Sequence, residues 1–192
     1  LRVIAGDILK RRDFKRALLH IPALFKDPVD TYSFLMDQSE KIGVKSHFYF
    51  MAVENRNNDY DTPYYLNTKK FRRLVWKIRE RGHVIGFHPG YTTCRNEERW
   101  GMEKKRLEQV MDEKLTEGRQ HYLMMEVPYT LRIWEKLGMK MDSTLGYADR
   151  EGFRCGTGNC FPVFDFLERR VLGLYESPLV VMDGTLRTYR NQ

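Results

Sequence analysis

The chain has 192 residues, enough for one domain and marginal for two. Hydrophobic residues make up 42% and charged residues 31%, an ordinary globular composition that argues against disorder. The net charge of +7 is diluted by 26 acids and no long basic block occurs, which argues against a polyanion-binding tail. Basic residues alternate with acids and no nucleic-acid motif is present, so no nucleic-acid partner is expected.

No apolar run reaches the roughly 18 residues of a membrane span, and the N-terminus lacks the apolar stretch of a signal peptide. A cytoplasmic location is the expectation. The three cysteines, Cys94, Cys155 and Cys160, are odd in number and too few for a disulfide scaffold, and so read as reduced thiols. The Cys155-x4-Cys160 spacing is not that of a zinc site. The chain opens on Leu1-Arg2-Val3-Ile4 and reads as a piece of a longer one.

Residues 1–30 read as a basic, helical leading segment. A single α/β domain is expected over 1–192, with its core at about 30–186. Glycines mark four helix-to-strand joints at Gly43, Gly82, Gly118 and Gly138, since Gly enters the left-handed C′ conformation without a Cβ clash. Helical spacing precedes three of them: Phe71, Leu74, Val75 and Ile78; then Leu107, Val110 and Met111; then Leu131, Trp134 and Leu137, with Pro128 at the first turn. Strands are expected at 44–51, 84–87, 120–124 and 139–145, with a later β-rich run at 171–182 interrupted by Pro178. Helices alternating with short apolar strands predict parallel βαβ units.

In such folds, functional groups collect at the C-terminal strand ends. His88 ends the second strand before Pro89-Gly90, which suits a metal ligand, an acid/base group, or a histidine that only bonds the turn. Arg119 and His121 are expected on the third strand, facing one side. Burying them without partners would cost a few kcal/mol each, so they either line a wet cavity or pair structurally. Asp149 belongs to the same rim. Tyr91 and Tyr147 offer ring faces on which sugars could stack. His83, at the opposite strand end, reads as structural, and His47 as a core residue among aromatics.

The strand Val44-Lys45-Ser46-His47-Phe48-Tyr49-Phe50, followed by Arg81-Gly82-His83-Val84-Ile85-Gly86-Phe87-His88, resembles the polysaccharide deacetylase family, the NodB-homology domain. Arg119 resembles the start of that family's Arg-x-Pro-aromatic motif. The stretch from Asp142 to Arg154 is similar to a bacterial subgroup found among surface-polysaccharide genes. The resemblance implies a distorted, incomplete (β/α) barrel of mostly parallel strands. It also implies a hydrolase that removes acetyl groups from N-acetylated or O-acetylated sugars, using a divalent metal, often zinc. By position, His88 corresponds to a metal ligand and Arg119 to the residue that orients the catalytic base.

Two departures stand out. The family's second metal histidine falls at Thr92, and the proline of its third motif is replaced by His121, which is expected to supply the missing imidazole. The family's first motif, an Asp pair, and its closing Leu-x-His motif are not found, so the chain alone is expected to be inactive and to hold metal weakly. The other reading is a non-catalytic domain that binds a glycan or a partner on the same scaffold.

Overall fold

The computed structural model describes residues 30–55 and 58–189. Residues 1–29 of the expected leading helical segment lie outside them. The chain divides into two compact units, Leu1–Ser46 and His47–Gln192. In the first, helix α1 (Tyr32–Lys41) ends at Gly43, whose φ of 74° lets the Gly43 and Val44 amides turn back onto the Glu40 and Ser39 carbonyls. The Ser39 and Ser46 hydroxyls meet at 2.6 Å across this turn. No helix among the described residues is long and apolar enough to cross a membrane.

The second unit is a mixed α/β structure around one six-stranded sheet. The strands are β1 (His47–Phe50), β2 (Val84–Phe87), β3 (Glu117–Gly118), β4 (Met141–Asp142), β5 (Phe161–Asp165) and β6 (Arg170–Glu176). Their order is β1-β2-β3-β4-β6-β5, parallel throughout except for β5. The mostly parallel α/β architecture is as expected. β1 and β5 are the two edges, so among the described residues the sheet does not close on itself.

Three helices supply the connections. Helix α2 (Lys69–Glu80) starts where the Thr68 hydroxyl accepts the Phe71 amide at 3.1 Å, and ends at Gly82 with φ 70°. Its expected apolar stripe buries Val75 and Ile78 and sets Phe71 edge-on to Phe50 of β1. Helix α3 (Glu97–Met111) is capped by the Asn96 side chain, with Glu97 and Glu98 favourably placed in its first turn. Helix α4 (Tyr129–Lys136) begins after Pro128. Trp100 of α3 packs edge-on against Phe87 of β2 at 4.9 Å and against Trp134 of α4 at 5.5 Å. Both indoles are fully buried, and each contributes about 4–6 kcal/mol of area burial. This aromatic contact joins the sheet to two helices and fixes the strand ends that carry the polar groups.

The sheet departs from the sequence reading at three places. First, Gly118 does not end a helix. α3 stops at Met111, with Asp112 in the left-handed conformation (φ 53°), and Gly118 lies inside β3. It is glycine because a Cβ there would sit 2.0 Å from the Phe87 carbonyl oxygen. Second, the segment expected as a strand at 120–124 instead holds the 3-10 turn His121–Leu123, with the third strand, β3, just before it at Glu117–Gly118, and the strand expected at 139–145 is cut to Met141–Asp142. Third, the run at 171–182 forms only β6, and its antiparallel partner β5 was not anticipated. Asp165 closes that hairpin by accepting the Leu167 and Glu168 amides at 3.0 Å, and Arg132 of α4 grips the same carboxylate at 2.5 and 3.0 Å. Pro162 is tolerated because β5 is an edge strand.

Gly118→Ala is expected to destabilise the protein by about 3 kcal/mol or more, since backbone rather than a side-chain tip must move. Chemical denaturation of the two proteins checks this, and an unchanged midpoint would contradict it.

Candidate functional site at the C-terminal mouth of the sheet

The parallel ladder continues past the strand ends. The His88 amide donates to the Phe50 carbonyl at 3.0 Å, the Arg119 amide to Phe87 at 3.0 Å, and the His121 amide to Pro89 at 3.2 Å. These bonds draw His88 and the 119–121 segment side by side. His121 does not reach the mouth by strand alternation, as expected from sequence. It opens a short 3-10 turn, His121–Leu123, in which Tyr122 (φ 55°) and Leu123 (φ 53°) are both left-handed. Each such non-glycine residue costs on the order of 1–2 kcal/mol.

The two imidazoles meet. His88 Nε2 lies 3.0 Å from His121 Nδ1, with ring centroids 4.9 Å apart and planes at 79°. Their outer nitrogens face carbonyls: His88 Nδ1 donates to Arg119 O at 2.6 Å, and His121 Nε2 to Tyr60 O at 3.1 Å. A carbonyl only accepts, so both outer nitrogens carry hydrogen. In neutral rings the inner nitrogens then point lone pair at lone pair. A proton or a cation between them would relieve that repulsion. His88 is held neutral, its pKa lowered to about 4 by burial first, then by His121, with a smaller push from the Arg119 charge.

Polar groups around the pair are committed to holding the loops. Asp61, fully buried, accepts the Tyr91 amide at 2.8 Å and the Asn58 amide group at 2.6 Å, with Arg99 at 3.8 Å. Glu103 accepts the Gly90 amide at 2.8 Å and Arg99 Nε at 3.1 Å, and its carboxyl is pushed up by burial. Arg119 Nε donates to Ser143 O at 2.9 Å and faces Ser143 Oγ at 3.2 Å, with the guanidinium 5.7 Å from the Tyr49 ring centre. The mouth thus carries one guanidinium gripped by neutral groups beside two imidazoles.

Three tyrosines wall the pair. Tyr60 and Tyr91 stack at 4.3 Å, and Tyr122 stands edge-on to both at 5.4 and 5.6 Å, as well as to His121 at 4.7 Å. Tyr60 and Tyr122 remain about half exposed.

His88, Arg119, His121 and Tyr91 therefore lie around one mouth of the sheet. Tyr147 and Asp149 lie in the loop after β4. There Arg150 stacks over Tyr147 at 4.5 Å and faces Asp149 at 4.0 Å, and among the described residues neither shares a hydrogen bond, ion pair or ring contact with the imidazoles. His83 is buried, as expected, edge-on to Phe48. His47 is not a core residue: it is half exposed, and its Nδ1 bonds Glu117 at 2.5 Å. Sequence reasoning missed Tyr60, Asp61 and Tyr122. The Asn58-Asp59-Tyr60-Asp61-Thr62-Pro63 run carries a turn signal that marks the first two. Among the described residues, no group of three or more His, Cys, Asp or Glu side chains is assembled as a metal centre.

No protein-family model matches the chain, and no curated protein does. The fold is similar to a solved structure described as that of a "putative polysaccharide deacetylase from Mycobacterium smegmatis", with a TM-score of 0.55 and 16% identity. The match covers 92% of this chain and 56% of that one, so the chain spans little more than half of its structural neighbour. The likeness is one of fold.

Because folding holds His88 neutral, this residue contributes stability that is full above its unfolded pKa of 6.5 and is lost as pH falls toward about 4. Urea denaturation from neutral to acid pH is expected to show a falling midpoint in that window, and a smaller fall in His88→Gln. Equal falls in both would contradict the assignment.

Proposed function

We propose that the chain is part of a metal-dependent hydrolase of the polysaccharide deacetylase type, acting on N-acetylated or O-acetylated sugars. The observation that carries this reading is the convergence of the His88 and His121 lone pairs on a fold like that of the structural neighbour. His88 Nε2 and His121 Nδ1, 3.0 Å apart, are the imidazole nitrogens that would hold a divalent cation, with its other ligands supplied from beyond this pair. Such a cation, when bound, supplies Lewis acidity and a water of lowered pKa.

The chain's own residues prepare that site. The Arg119 and Tyr60 carbonyls fix both tautomers, so that the inner nitrogens present lone pairs. Burial keeps His88 unprotonated at neutral pH. Arg119 is the fixed positive charge of the mouth, suited to orienting a carboxylate base. The faces of Tyr91 and its neighbours offer platforms for a sugar ring. In this reading Tyr147 and Asp149 contact a more distant part of an extended glycan.

A second reading, a glycan-binding domain without catalysis, is favoured by one observation: only two metal-binding side chains converge among the described residues. Equilibrium dialysis of the longer protein that carries this chain is expected to give one zinc ion per molecule at this site, with uptake weakened at least about tenfold in His88→Ala and in His121→Ala. Unchanged uptake in His121→Ala removes that residue from the site. Acetate release from N-acetylated oligosaccharides by the longer protein that carries this chain, with zinc supplied, and its loss on chelation, supports the hydrolase. Saturable sugar binding without acetate release supports the binding domain.

A further inference from the structure

Asp142 and Glu176 are both fully buried and sit directly opposite each other in the β4–β6 ladder. One oxygen of each is occupied: Asp142 Oδ1 accepts the Thr144 hydroxyl at 2.5 Å, and Glu176 Oε1 accepts the Leu145 amide at 2.9 Å. The remaining oxygens, Asp142 Oδ2 and Glu176 Oε2, are buried and receive no donor from any described residue, although the two residues are direct partners in the ladder. Two carboxylates apposed this way in a dry interior would suffer both repulsion and lost hydration. A single hydrogen between them removes the repulsion and leaves only one negative charge to be buried.

We propose that Asp142 and Glu176 share one proton, and that this acid–carboxylate pair is the positioning device for the 119–121 segment of the mouth. The link is direct. The Thr144 hydroxyl, which donates to Asp142, accepts the Gln120 amide at 2.9 Å, on the backbone between Arg119 and His121. Ser143, between the two linked residues, accepts Arg119 Nε and donates to Gly118 O at 3.0 Å. The protonated pair thus holds Thr144 in place, and Thr144 holds the segment. It does so whatever chemistry the mouth performs.

The charged and titratable groups facing the pair are Arg119, from beyond β3, and the Cys155 thiol, from the loop after β4. On α4, which packs on β6, Arg132 and Glu135 are instead engaged with Asp165, Glu168 and Arg170. Burial pushes both carboxyl pKa values up, Glu176 to about 9 because the Asp142 charge adds to desolvation, with Arg119 pulling it partly back. Folding therefore retains a proton that the unfolded chain releases near pH 4.5. The stability this contributes is full below that pH and is lost as pH rises through about 9.

Infrared spectroscopy of the whole chain at neutral pH is expected to show a protonated-carboxyl band that disappears in Glu176→Gln. The glutamine amide donates the missing hydrogen permanently, so the alkaline loss of thermal stability should flatten in that variant. The Gln120 amide resonance should titrate on the alkaline side in the natural protein and stay level in Glu176→Gln, a change that mere packing would not produce. Should Glu176→Gln fail to fold, Asp142→Asn serves instead and is also expected to lose the band, while the natural protein's spectrum alone remains decisive. No protonated-carboxyl band in the natural protein, or a Gln120 titration identical in both, would overturn the shared proton. Because none of these readouts needs zinc or sugar, their failure is separate from failure of the hydrolase reading.

Discussion

The β2 and β3 backbones approach each other at Phe87 and Gly118 more closely than any side chain permits. Everything at the mouth depends on that approach. With β3 pressed against β2, the Arg119 amide reaches Phe87 and the His121 amide reaches Pro89, continuing the ladder beyond the strands. From Gly118 the same row of the sheet runs on to Asp142 and Glu176. Packing supports the row from one side, where Phe87 sits edge-on to Trp100, and Trp100 against Trp134. The apolar contact fixes the height of β2, and the glycine fixes the distance of β3.

Much of this was legible in the sequence, and the reasons are local. β2 coincides residue for residue with the strand expected at 84–87 because it is a short apolar run between a helix-ending Gly82 and a Pro-Gly loop. Periodicity alone announces α2, α3 and α4. His88 was found because its strand end was found. His121 was found for a partly wrong reason. It does face His88, but from a left-handed turn that two bulky residues occupy against their intrinsic preference, and no turn-forming residue signals it.

What stayed hidden depends on contacts far apart in the chain. Nothing in the sequence around Asp61 marks it as buried, because the Tyr91 amide that bonds it lies 30 residues away. Gly118 reads as a helix terminator, because the same residue type serves a left-handed cap and a close backbone crossing, and only tertiary structure separates the two. The pairing of Asp142 with Glu176 requires β5 and β6 to fold back as a hairpin beside β4, and that topology has no local signal beyond the turn at Asp165.

The mouth and the row beneath it pose one electrostatic problem twice. In each, two groups of the same kind face each other with unfilled lone pairs: two imidazole nitrogens at 3.0 Å, and two carboxyl oxygens across a ladder pair. A positive centre between the partners would relieve the repulsion in each. Their surroundings decide which centre is available. The imidazoles are partly exposed beside half-exposed tyrosines, so an ion from solvent can reach them. The carboxyls are sealed, with no accessible surface, and a hydrogen ion needs no more room than a hydrogen bond. Since Thr144 and Gln120 connect the sealed pair to the segment bearing His121, the geometry of the open pair rests on the protonation of the closed one.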